Sequence, residues 1–224
     1  MTEQPFINWE WVTSHAGFIG HQLWQHVVLT VIAVVVGLLI SFPIAVLSHR
    51  RRRVYPPVTW VSGILYSIPS LALFSLLTPF TGLSTLTAEI GLVSYTLLIL
   101  IRNIVAGLDG VPADAKEAAL AMGFTRRQLL WRVELPLAMP VIVAGLRIAT
   151  VTIVGLVTVT VFVGKGGLGY LMLASFRRLL PRPTAIVVGL VLSVALAVAI
   201  DLLLVHGQRL LSPWTRRREA RITG

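Results

Sequence analysis

The sequence predicts an all-α membrane protein, and three observations carry that expectation. Its residues are 56% hydrophobic and only 12% charged, far from the balance of a soluble globular domain. The apolar residues gather into five stretches, each near the ~20 residues an α-helix needs to cross a bilayer. Arginines cluster on one side of that pattern: in Arg50-Arg51-Arg52-Arg53, in the central loop at Arg126 and Arg127, and in the tail at Arg209, Arg216, Arg217, Arg218 and Arg221. No linker, low-complexity segment or internal repeat divides the 224 residues, so one membrane domain is expected, with its core over about residues 23–205.

The elements follow in order. Residues 1–22 contain Glu3 and Glu10 and no Lys or Arg, so a cleaved secretory signal with a basic start is not expected. Trp9, Trp11, Phe18 and Trp24 suit either a segment lying at the membrane–water interface or an amphipathic, loosely held tail. The first span is expected over about Leu23–Leu47, ending at the Arg50-Arg51-Arg52-Arg53 run. The second runs over about Val58–Thr78 with Pro69 inside it, where a proline kink either shapes packing or serves as a hinge. The third covers about Leu86–Leu108, and Glu89, early in it, is expected to reach the external headgroup zone. The fourth covers about Leu137–Val163 and the fifth about Thr184–Val205.

Between the third and fourth spans lies a polar, helix-forming island from Glu117 to Pro140. Pro112 and Asp114 favour a helix start just before it. Ala115, Ala118, Ala119 and Met122 fall at i, i+3, i+4 and i+7 and give that helix a small apolar face. Gly123 is placed as its C-terminal cap. Thr125 and Gln128 have capping-box spacing for a second helix, which is expected to stop before Pro136.

The fixed positions of this island resemble the EAA loop of ABC importer permeases. Glu117-Ala118-Ala119, three residues, Gly123, nine residues, Val133, one residue, then Leu135-Pro136 reproduce that pattern, with Val133 where isoleucine is usual. Ile68-Pro69-Ser70-Leu71-Ala72-Leu73-Phe74, Val133-Glu134-Leu135-Pro136-Leu137 and the glycine-rich Gly164–Gly169 are similar to permeases for glycine betaine, choline and carnitine. The resemblance runs from about Ile68 to Met172. It implies the type I ABC importer permease fold, with about five transmembrane helices and a cytoplasmic coupling loop. Glu117, Ala118, Ala119 and Gly123 would form the docking helix and its turn, and Leu135 and Pro136 the return into the membrane. Glu117 would either pair with the partner or help start the helix.

The resemblance also implies the partners: a cytoplasmic ABC ATPase dimer, a second permease subunit, identical or homologous, an external substrate-binding protein, and membrane lipid. ATP and Mg would be bound by the partner ATPase, since 224 residues leave no room for one here, and this chain would hold no cofactor or metal. The implied location is the prokaryotic cytoplasmic membrane, multi-pass. Arginine placement puts the N-terminus outside and the C-terminus in the cytoplasm. Lys165, Arg177, Arg178 and Arg182 fall on the external side in that arrangement, against the trend.

Two further readings compete. A permease for methionine or another amino acid would share the architecture. Ala119, Gly123 and Leu129 also match the spacing of a DNA-binding helix-turn-helix, with Arg126 and Arg127 toward phosphates. The loop's tethering to membrane helices on both sides leaves a duplex little room, and no nucleic-acid partner is expected.

The remaining motifs carry less. Gly164-Lys165-Gly166-Gly167-Leu168-Gly169 fits GxGxxG, but a membrane helix precedes it where a dinucleotide site needs a strand. It is expected to form an external turn before a short helix, Tyr170–Leu180. His15, His21, His26, His49 and His206 lie near span ends without metal-ligand spacing, and the absence of cysteine excludes disulfides and thiolate sites. No nucleophile elbow is present, so the chain is not expected to be an enzyme. In the fifth span Ala185, Gly189, Ser193, Ala197 and Asp201 share an i+4 row, suited to close packing within one subunit or to a dimer seam. Asp201 and Arg147 enter the bilayer from the same side to comparable depth. They are expected either to form an ion pair that fixes helix register or to snorkel separately to the interface.

Overall fold

Inside a bilayer nothing but the chain itself can satisfy backbone N–H and C=O groups, so long apolar runs become helices. The computed structural model describes residues 7–211 except 165, 178 and 180–182. Lys165, Arg178, Arg182, Leu180 and the tail arginines from Arg216 onward lie outside the described residues. Ten α-helices follow in order: α1 (Trp9–Ser14), α2 (Ala16–Arg50), α3 (Tyr55–Ser67), α4 (Ser70–Thr81), α5 (Thr85–Asp109), α6 (Ala113–Ala121), α7 (Arg126–Leu129), α8 (Leu135–Val157), α9 (Leu168–Phe176) and α10 (Thr184–Leu211). Among the described residues, four continuous helical stretches are long and apolar enough to span a membrane: α2, α5, residues 126–163 and α10. The α3–α4 pair makes a fifth if counted as one span.

The first helix begins well before the expected Leu23. Asn8 caps α1 by accepting from the Trp11 N–H at 2.9 Å, and its own N–H donates to Thr184 Oγ1 at 2.9 Å. Trp11, Val12, Phe18 and Leu23 pack around buried Ile19, Leu168, Leu171 and Ala185. The segment from residue 7 onward is therefore held against the start of α10 and is not a loose tail.

The second span is not one helix. α3 and α4 meet at 96° around Ile68 and Pro69. Proline disfavours helical geometry in the residue before it, and Ile68 is extended, with φ −67° and ψ 128°. The freed Ile68 carbonyl accepts from the Tyr95 hydroxyl, so the break is stabilised from α5. At 13 and 12 residues, α3 and α4 reach roughly 20 and 18 Å, each short of a ~30 Å hydrocarbon core.

α5 is the central helix and packs against α2, α8, α3 and α4. Ser84 caps its start by accepting from the Thr87 N–H. Toward its C-terminal end, Leu100, Ile101, Ile104 and Leu108 form a core with Leu130, Leu135, Ala138 and Ile142. Toward its N-terminal end, Ala88 and Leu92 pack with Leu29, Ala33, Phe74, Ile153 and Val157. The Glu89 carboxylate is turned into the bundle and not out to the surface. Both of its carboxylate oxygens are buried and have no hydrogen-bond partner among the described residues.

The glycine-rich turn closes onto α2. Gly167, at φ +51°, precedes α9, which starts earlier than the expected Tyr170 and ends at Phe176. A Cβ on Gly169 would lie 2.0 Å from the Thr158 carbonyl oxygen, so only glycine lets α9 approach there. His26 is fully buried beneath the turn. Its Nδ1 accepts from the Leu168 N–H at 3.3 Å and its Nε2–H donates to the Val154 carbonyl at 2.9 Å. It is thus a core histidine. On α10, Ala185, Gly189 and Ser193 are buried, and Gly189 faces the Leu168 carbonyl and Leu171 of α9. That stretch of the small-residue row serves packing within the chain.

Candidate functional site

The loop between α5 and α8 is built from two capped short helices. Pro112 precedes α6 and Asp114 lies in its first turn, where the helix dipole favours a carboxylate. Gly123 at φ +82° ends it. The Gly123 N–H donates to the Leu120 carbonyl at 2.9 Å and the Phe124 N–H to the Ala119 carbonyl at 3.1 Å. That pair of bonds is a Schellman closure, and it needs a left-handed residue where this chain has glycine. Thr125 and Gln128 then form a reciprocal capping box, with Thr125 N–H to Gln128 Oε1 at 2.8 Å and Gln128 N–H to Thr125 Oγ1 at 3.3 Å.

The second helix does not stop before Pro136. α7 passes through a π-helical turn, Leu130–Glu134, directly into α8, where Pro136 occupies the first turn. The wider turn accommodates a residue that lacks an N–H and crowds the carbonyl four positions back. Leu130 and Leu135 are buried in the core, anchoring the turn. This continuity also disposes of the helix-turn-helix geometry, since α7 has four residues and runs on into a membrane helix.

The apolar stripe on α6 is split. Ala119 is buried against the bundle and Ala115 is half-buried, whereas Glu117, Ala118, Leu120 and Met122 are exposed. Glu117 lies beyond the first turn, too far along α6 for its carboxylate to serve the helix start. The exposed surface of the loop is therefore an acidic residue beside small and apolar ones, with Arg126 and Arg127 nearby and also exposed.

Beneath α6 runs a chain of charges that the residue patterns do not reveal. Lys116 Nζ lies 3.7 Å from Glu134 Oε1 and donates to the Leu108 carbonyl at 3.3 Å. Glu134 is 7% exposed, and its Oε1 is 3.5 Å from His49 Nε2. His49 Nδ1 lies 2.6 Å from Asp109 Oδ1, and Arg52 Nη1 donates to Asp109 Oδ2 at 2.6 Å. Asp109 closes α5 at the helix end where the dipole opposes a carboxylate, so it depends on these two partners. That misplaced charge is the one sequence signal that points toward the cluster.

Arg147 and Asp201 meet across α8 and α10. Arg147 Nε donates to Asp201 Oδ1 at 2.7 Å and Nη2 to Oδ2 at 2.8 Å, the bidentate geometry guanidinium and carboxylate share. The two side chains are 33% and 30% exposed and line an open cleft of about 490 Å³ with Ala144, Ile148, Val151 and Thr152.

Comparison with known proteins identifies the family and the fold. Residues 33–217 match the family described as binding-protein-dependent transport system inner membrane component. The chain is 31% identical over 204 residues to the choline transport system permease protein OpuBB of Bacillus subtilis, covering 91% of this chain and 93% of that one. It is 34% identical over 209 residues to the carnitine transport permease protein OpuCB of Listeria monocytogenes, covering 92% and 94%. With the osmoprotectant import permease protein OsmW of Salmonella typhimurium it shares 33% over 208 residues, covering 91% and 96%. Among solved structures, the inward-facing MetNI methionine ABC transporter superposes with a TM-score of 0.77 at 26% identity, covering 86% of this chain and 95% of that one. The fold is that of type I ABC importer permeases, and the chain belongs to the family of binding-protein-dependent transport system inner membrane components.

Proposed function

We propose that this permease takes up osmoprotectants of the quaternary-ammonium class, such as glycine betaine, choline or carnitine, by ATP-driven alternating access. The observation that carries the cargo class is the agreement of relatives named for choline, carnitine and osmoprotectant transport, each covering about nine-tenths of the chain. In this reading two permease subunits pair in the cytoplasmic membrane and an external binding protein delivers the cargo. Two cytoplasmic ATPases bind ATP and Mg. The N-terminus lies outside and the C-terminus inside.

α6 is the docking helix. Glu117 and Ala118 face the ATPase, Ala119 seats the helix on the bundle, and Gly123 sets its end. Leu135 and Pro136 return the chain to the membrane. Closure of the ATPases draws the two loops together, and rigid-body rocking of the helices opens a midplane cavity to alternate sides. Arg147 and Asp201 hold α8 and α10 in register, since a half-exposed charge within a membrane protein is tolerable only when paired or wet.

Purification of the native complex through a tag on the permease, followed by reconstitution in liposomes, tests the proposal. An ATPase should copurify, and labelled glycine betaine or choline should accumulate in an ATP-dependent manner. Uptake of labelled methionine instead would favour the amino-acid reading, which the MetNI likeness supports. Absence of an associated ATPase would defeat the coupling assignment.

A further inference from the structure

We infer that Lys116, Glu134, His49 and Asp109 are positioning residues, forming an ionic latch that fixes α6 to the loop ends of α2, α5 and α8. The inference rests on the coupling reading of α6 and names the residues through which that helix would move the membrane spans.

α6 cannot hold its own place. A nine-residue helix is marginal in isolation, and Ala119 is its only buried residue. Lys116, on the half-buried side of α6, supplies the missing attachment: its ammonium reaches the Leu108 carbonyl near the end of α5 and the Glu134 carboxylate on the π turn that leads into α8. Glu134 in turn faces His49 in the last turn of α2, and His49 faces Asp109, the last residue of α5. Arg52 closes the chain from beyond α2. Four separate stretches of backbone are thus joined by a run of polar and charged side chains.

The distances differ in a way that bears on motion. The His49–Asp109–Arg52 contacts are 2.6 Å hydrogen bonds that tie α2 to α5. Glu134 sits at 3.5 and 3.7 Å from His49 and Lys116, beyond good hydrogen-bond length, with the Lys116 ammonium within ionic reach. A buried carboxylate beside an ammonium is costly to leave unpaired, so Glu134 follows Lys116 when that side chain shifts. Displacement of α6 therefore draws on Glu134 through Lys116. Because α2, α5 and α8 pack against one another, the pull reaches the bundle as a unit.

The test uses the complete importer purified through the permease, with Thr85→Cys, an exposed position at the start of α5, as the one cysteine of the permease. ATP with vanadate should change the maleimide-labelling rate there, and Lys116→Met and Glu134→Gln should each reduce that change about fivefold or more while keeping the ATPase bound. Lys116 is partly exposed, so its variant folds even if Glu134→Gln does not. Exchanging the pair, Lys116→Glu with Glu134→Lys, should restore the response. An undiminished response in Lys116→Met, loss of the ATPase from it, or an exchange that does not rescue would overturn the latch. A parent complex without an ATPase, or without any nucleotide response, would instead overturn the coupling reading itself.

Discussion

Two glycines show how differently the same residue is used. Gly123 needs its left-handed backbone, φ +82°, yet a Cβ there would meet nothing within 4 Å. A side chain therefore costs about 1–2 kcal/mol of local strain and disturbs only the end of α6. Gly123→Val should insert and purify normally but lose the bound ATPase, as read by copurification; an unaltered complex with full transport would refute the docking assignment. Gly169 is the opposite case, since its Cβ would overlap a backbone oxygen that has no rotamer to escape into. Gly169→Ala should destabilise the protein by about 1–3 kcal/mol. Gly155→Ala, in the last turn of α8 with nothing within 4 Å, should be neutral or stabilising by about 0.5–1 kcal/mol. Thermal unfolding in detergent of the two variants beside the parent measures both.

At the scale of elements, two departures from helical regularity lie at prolines. Pro69 ends one helix and lets the next leave at 96°, because Tyr95 and the buried Phe74 hold the broken ends on α5. Pro136 is carried by a π turn instead, because Leu130 and Leu135 must both stay in the core. Between α8 and α10 the decisive contact is the Arg147–Asp201 pair. Reversing either charge leaves two like charges facing each other in a membrane-embedded cleft, and Arg147→Asp or Asp201→Arg should abolish assembly of the complex. The double exchange should recover it, as judged by size-exclusion elution and ATPase content. Failure to recover would mean the side chains act separately.

The whole molecule presents a broad apolar surface around α10, where Leu190, Val191, Val194, Val198, Leu202 and Leu203 are exposed, facing lipid or a second permease. The loop end of the bundle gathers Arg50, Arg51, Arg52, Arg53, Arg126 and Arg127, which the positive-inside tendency assigns to the cytoplasm. The cysteine-free chain makes that assignment testable with one substitution. Arg126→Cys, on an exposed position of α7, should react with a membrane-impermeant maleimide only after cells are opened. Labelling of intact cells would invert the topology and remove the ATPase from reach of the loop.

The all-helical membrane class, the two capped helices of the loop and the glycine that ends the first were all legible in the residues alone. Each of these rests on neighbours within a few residues or on exclusion from water, and such rules read along the chain. It took the packing of the helices to break the second span in two, to carry the loop's second helix through Pro136, and to bury the carboxylate oxygens of Glu89. Proline marks a site of irregularity, but neighbouring helices choose between a corner and a bulge. The ionic cluster was equally out of reach, since His49 and Asp109 stand 60 positions apart. Charges that distant become partners only when α2 and α5 are laid side by side, and no local pattern specifies which ends will meet.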